Sequence, residues 1–193
     1  MRAHRTIKSN TMCFRSFFIL LAATSFSVNG FSQNYMTKSG FIGFYSKTPL
    51  EDVRAENNQV YAVLDPASHH IAFAVLLKGF IFTKELMQEH FNENYVESDK
   101  FPKATFSGTC SGDMDLTKEG TYQVVIKGDL NLHGVTKPIE TTAQLEVKKD
   151  HITGTSAFKL KPEDFNISIP GIVREKIASE ISVKVQIDWA HTK

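Results

Sequence analysis

The side chains with which a chain can do bond chemistry are present here but scattered. His69 and His70 are adjacent, so on a strand they face opposite ways and cannot readily share an ion. His90 falls in a helix-like stretch and His133 in a turn-like one, and no spacing among them matches a zinc site. Serine, histidine and aspartate all occur, yet no Gly-x-Ser-x-Gly nucleophile elbow does. Asp113 and Asp115 sit in CSGDMDLTKEG and read as solvated loop acids. Cys110 reads as a buried, inert thiol, with a reactive thiol or an intermolecular bridge as the alternative. The expectation is therefore no catalytic residue, no metal ligand and no cofactor, which shifts attention to the apolar residues and what arranges them.

These recur with period two, the spacing that puts every second side chain on one face of a strand. Tyr122, Val124, Ile126, Gly128, Leu130 and Leu132 alternate with Gln123, Lys127, Asp129, Asn131 and His133. Ile139, Ala143, Leu145 and Val147 do the same against Glu140, Thr142, Gln144, Glu146 and Lys148, and so do Ile181, Val183, Val185, Ile187 and Trp189. Such strands are half-buried and antiparallel. Short turn signals at 133–136, 149–151 and 66–68 join strands predicted over Ile152 to Leu160, Val60 to Asp65 and Ile71 to Phe82. Tyr35 to Ser46 and Ala104 to Ser111 bring the number to about eight, which suggests an all-β sandwich or a closed barrel. One segment breaks the pattern. Thr83 reads as an N-cap, and Leu86, Met87, His90 and Phe91 share a face at helical spacing, predicting a short helix that ends before Pro102. Pro162 and Pro170 bound a loop, with a further short helix expected over Val173 to Ala178.

Residues 1–32 read as an export signal rather than as fold. Arg2, Arg5, Lys8 and Arg15 precede the apolar run Phe17 to Ala23, and Gly30, Phe31 and Ser32 supply a small-x-small cleavage site before Gln33. The apolar run is shorter than the ~20 residues of a membrane span. Losing those four cations leaves 18 basic residues against 21 acidic ones, a net charge of about −3, which argues against a nucleic-acid partner. The expected product is one periplasmic or secreted domain, residues 33–193, with Cys110 its lone cysteine and no internal disulfide.

Three stretches then point to a family: LDPASHHIAFAV (Leu64 to Val75), NYVESDKFPKATFSG (Asn94 to Gly108) and, most specific, GDLNLHGVTKPI (Gly128 to Ile139). Together they resemble the YceI-like family of exported polyisoprenoid-binding proteins, over about Gly40 to Trp189. The resemblance implies an eight-stranded antiparallel lipocalin-like β-barrel with a short helix packed at one side and a tunnel for an isoprenoid chain. It also implies an amphiphilic lipid partner of quinone type or prenyl-phosphate type. Late in the chain the pattern departs: in KLKPEDFNI, Lys161 stands near the family's arginine, Phe165 is kept and Asn166 replaces a glycine. The stretch between Tyr45 and Val60 is short for the family.

On that barrel, the expected tunnel lining is Phe73, Val75, Phe106, Val124, Ile126, Leu130, Leu132 and Phe158, with Met87 and Phe91 of the helix as an adaptable wall. Gly128 lies on the same face, either making room for a ligand or allowing a bend. Lys137 and Lys161 could meet a phosphate or quinone oxygen at the mouth, plain solvated charge being the other reading. The function expected is a carrier that allows transient membrane contact, with its oligomeric state left open. The alternatives are a small hydrolase or isomerase using the same cavity, and a filled, ligand-free stress-protective interaction module.

Overall fold

The computed structural model describes residues 34–173 and 175–191. The expected signal segment and its cleavage site beside Gln33 lie outside the described residues.

The long alternating stretches form strands: β1 (Tyr35–Lys47), β2 (Asp52–Asp65), β3 (His70–Leu76), the two-residue β4 (Ile81–Phe82), β5 (Lys103–Ser111), β6 (Gly120–Leu132), β7 (Val135–Val147), β8 (His151–Leu160) and β9 (Ile181–His191). All pairings are antiparallel, in the order β1-β9-β8-β7-β6-β5-β3-β2, and β2 pairs back onto β1. Eight strands thus close a ring, with β4 riding on the first half of β2. Each of the eight strands thus has a neighbour on both sides, although the β7–β8 ladder covers only part of those two strands. Between β6 and β7 the loop is His133-Gly134 alone, both with positive φ (52° and 74°), as a type I′ hairpin requires. This is the physical content of the His-Gly pair in the most specific sequence stretch.

One end of the barrel is filled. Leu64, Ile71, Leu145, Ile152 and Trp189, all 3% exposed or less, pack there with Val124, Val147 and Cys110. At the other end, where β1, β3, β6 and β8 finish, α1 (Glu85–His90) and the 3₁₀ segments Pro162–Phe165 and Gly171–Val173 lie across the opening.

The structure corrects four local expectations. β2 starts at Asp52, so 52–59 is strand rather than loop; its inward Asn57 is buried and donates Nδ2 to Leu76 O (3.0 Å), which hides the strand from an apolar-pattern reading. The strand from Ile71 does not reach Phe82. Leu77 N–H donates instead to Pro102 O (2.9 Å), and Leu77–Gly79 turns the chain onto β2. Lys84, not Thr83, is the N-cap, with no side-chain cap bond, and α1 runs into a π turn at Phe91–Tyr95. Among the described residues of the stretch expected as a helix, 175–177 form turns, with Lys176 and Ile177 N–H both on Val173 O.

Candidate functional site

A cavity of about 520 Å³ occupies the open half of the barrel. Nine of the expected lining residues stand on its wall: Phe73 and Val75 from β3, Phe106 from β5, Ile126, Leu130 and Leu132 from β6, Phe158 from β8, and Met87 and Phe91 from the helical segment. They come together because each is an inward member of an alternating set, and α1 turns its Leu86-Met87-His90-Phe91 face to the opening.

Two expected residues are elsewhere. Val124 is buried in the filled end, too far along β6 to reach the cavity. Gly128 faces Gly108 across the β5–β6 pair, and a Cβ on it would stand 2.4 Å from Ser107 O and 2.7 Å from Phe106 Cζ. The missing side chain makes room for the Phe106 ring and the neighbouring strand, not for a ligand. The bore is accordingly a blind pocket rather than a through-tunnel.

The wall has two aromatic groups. Near the opening, Phe44 of β1 meets Phe80, Phe82 and Phe91 at centroid distances of 5.3, 5.6 and 5.4 Å, with Phe82 and Phe91 at 5.0 Å. At the floor, Phe73 contacts Phe106 and Trp189 at 6.0 and 6.1 Å. All are tilted or edge-to-face, the arrangements ring quadrupoles favour. The sequence reading missed Phe44, Phe80, Phe82, Phe165 and Ile167 on this wall. Phe44 was recoverable, since Ile42, Phe44 and Ser46 alternate and line the cavity together; Phe165 and Ile167 lie in a proline-bounded loop with too short a run to show a period.

Polar groups on the wall are few. Thr105, Thr141 and Ser156 contribute hydroxyls, with Thr141 and Ser156 3.3 Å apart and Ser156 Oγ donating to Thr142 O (2.7 Å). Burial pushes the Tyr95 phenol up. The charged residues on the cavity, Glu51, Lys84, Lys161 and Lys176, all come from segments at the opening, as does His90. Lys84 Nζ is 2.5 Å from Glu51 Oε1, and that hydrogen bond, with Lys176 nearby, holds the Glu51 carboxyl below the ordinary range. Lys161 lies 3.7 Å from Glu180, whereas Lys137 is exposed and off the cavity. No group of three or more His, Cys, Asp or Glu residues among the described residues is placed to hold a metal ion.

A gap in the wall lies beside Ser156. The β7–β8 ladder pairs Ala143–Val147 with Ile152–Ser156 and stops, so Val135–Thr142 and Ala157–Leu160 have no partners across it. Thr142 O, next in line, takes the Ser156 hydroxyl in place of a backbone N–H.

A family model for the YceI-like domain matches residues 24–189. An UPF0312 protein of Shewanella putrefaciens is 27% identical over 158 residues, 77% of this chain and 72% of that one. An UPF0312 protein of Vibrio cholerae is 31% identical over 86 residues, 40% of this chain, which spans less than half (42%) of that relative. Among solved structures, a polyisoprenoid binding domain from Saccharophagus degradans superposes with a TM-score of 0.71 at 13% identity, over 83% of this chain and 99% of that one. At that identity the likeness shows the fold, a closed eight-stranded antiparallel barrel with one short helix.

Proposed function

The chain belongs to the YceI-like domain family, and from that premise we propose that it is an exported carrier holding the tail of a polyisoprenoid or similar long amphiphile, rather than an enzyme. The observation that carries this reading is the blind apolar cavity of about 520 Å³, within the size span of small-molecule sites. A tail that loses on the order of 500 Å² of apolar surface in such a site gains roughly 12 kcal/mol gross. Immobilising it takes back a large share. Because that gain is non-directional, the cavity selects width and length better than chemical detail.

The same geometry weighs against the alternatives. A hydrolase or isomerase needs convergent acid and base groups at depth, whereas the charged residues of this cavity gather at its rim. A filled, ligand-free barrel needs an interior with no room for a chain. The Saccharophagus neighbour, a polyisoprenoid binding domain, supports the ligand class. Lys84, Lys161 and Lys176 at the rim suit a headgroup bearing phosphate or quinone oxygens. Periplasmic or secreted location rests on the basic-then-apolar pattern of residues 1–32. Native mass spectrometry of protein purified from its own host tests the proposal: it is expected to carry a long-chain lipid. A folded protein that arrives bare and takes up no added prenyl alcohol, quinone or phosphate contradicts it.

A further inference from the structure

Three connections meet at the imidazole of His133, on the β6–β7 hairpin tip. Its Nε2 is 2.7 Å from Glu97 Oε2, on the connection after the π turn, and its Nδ1 is 3.0 Å from the Phe165 carbonyl oxygen. The Phe101 ring stands edge-on to it at 4.7 Å. Each joined segment carries a non-glycine residue in the left-handed region at or beside the contact: His133 (φ 52°), Glu97 (φ 45°) and Asn166 (φ 57°). Such backbone persists only where its surroundings over-determine it. Both partners of the ring, a carboxylate and a carbonyl, are acceptors only. A neutral imidazole has one N–H and serves one of them; only the imidazolium serves both.

What this clasp fastens is the covering of the gap in the wall. Pro162–Phe165 leaves the end of β8 and packs on β7, along the part of the barrel where those two strands have no ladder. Phe165 and Ile167 are buried and face the cavity. Among the described residues, the only hydrogen bond from Pro162–Ile167 to another element of the fold is the one with His133.

We propose that Pro162–Ile167 is a side door over the β7–β8 gap and that protonated His133 is its latch, so that ligand exchange quickens as His133 loses its proton. The proposal rests on the carrier reading for its consequence, though not for the latch itself. The charged groups around the clasp are few. Glu97 is the bonded one; Lys100 Nζ lies 3.9 Å from Glu97 and over the Phe101 ring; Glu163 and Asp164 are exposed beside Phe165; Asp129 and Lys137 are exposed on the hairpin itself. Of these only Glu97 hydrogen-bonds the imidazole.

The test is release of N-phenyl-1-naphthylamine, an uncharged apolar probe, from the full chain between about pH 5 and pH 8, the span in which histidine changes charge. Wild-type release is expected to quicken about tenfold or more across that span. In Glu97→Gln the side-chain amide can donate to a neutral imidazole or accept from a charged one, so release stays slow throughout. In His133→Asn it is fast and flat with pH. A flat wild-type profile, or a Glu97→Gln profile like the wild type's, overturns the latch. If the wild type takes up no probe, the carrier reading falls and hydrogen exchange on the ligand-free protein decides the latch. Corrected for base catalysis of exchange, Asn166 and Ile167 amides lose protection with rising pH in the wild type but not in Glu97→Gln; equal protection in both overturns it.

Discussion

Asn166 stands where the family resemblance expects glycine, and its φ of 57° shows why that position is restricted. Left-handed backbone costs most L-residues roughly 1–2 kcal/mol, and asparagine is among the few that visit it routinely. Asn166→Ala is expected to lower stability by about that amount and Asn166→Gly to leave it nearly unchanged, read by thermal unfolding. Asp115 is legible as a loop acid but not as a structured one. It accepts from Thr117 N–H and Oγ1 and pairs with Lys118 at 2.8 Å, and its pKa falls from 3.8 to about 2, with the Lys118 hydrogen bond the largest cause. A depressed carboxylate contributes fully above its unfolded pKa and loses that contribution as pH falls through the folded one. Asp115→Asn should therefore be the less stable protein near neutrality, with the difference vanishing between about pH 5 and pH 2. A gap that persists in acid would contradict the assignment. Cys110 is 4% exposed and its thiol is pushed up to about 11 by burial. Mass-mapped alkylation should find it unmodified in the native state and modified after denaturation.

At the scale of elements, what the sequence disclosed follows from where water lies. β6, β7 and β9 have one wet and one apolar face, so period two reads through directly. The first half of β2 does not, because Asn57 occupies an inward position, its burial made tolerable by donating Nδ2 to Leu76 O, remote in sequence, and accepting Gln59 N–H on Oδ1. Nine wall residues were readable from alternation and the helical stripe, while Val124 shows the limit: periodicity assigns a face but not a depth along the barrel. Nor does alternation report where a ladder stops, so the β7–β8 gap has no signature, while its covering segment shows in sequence only as a loop bounded by Pro162 and Pro170. Gly128 gives the sharpest test of the β5–β6 pair. A methyl there meets Ser107 O at 2.4 Å, and the barrel must shift to admit it. Gly128→Ala is expected to cost about 1–3 kcal/mol in denaturant unfolding.

The described residues form a barrel with two unlike ends: one packed solid around Trp189, Leu145 and Ile152, the other opened where the β7–β8 ladder stops and covered by short segments. The packed end supplies rigidity and the covered end supplies room, so a change at the cavity wall should alter loading more than folding. Leu130 lies midway along that wall. Leu130→Arg places a charge where no partner waits, and a lipid tail then has to bury against it. The variant is expected to keep β-sheet circular dichroism while losing copurified lipid; full loading would mean the tail lies elsewhere. Lipid carriage is tested most directly by an experimental structure of the protein purified with the lipid it acquires in its own host. Continuous tail density is expected from the Phe44–Phe91 rings to the floor at Phe73 and Phe106, with the headgroup near Lys84 and Lys176. Density confined to the outer surface, or a cavity occupied by the protein's own side chains, would contradict it.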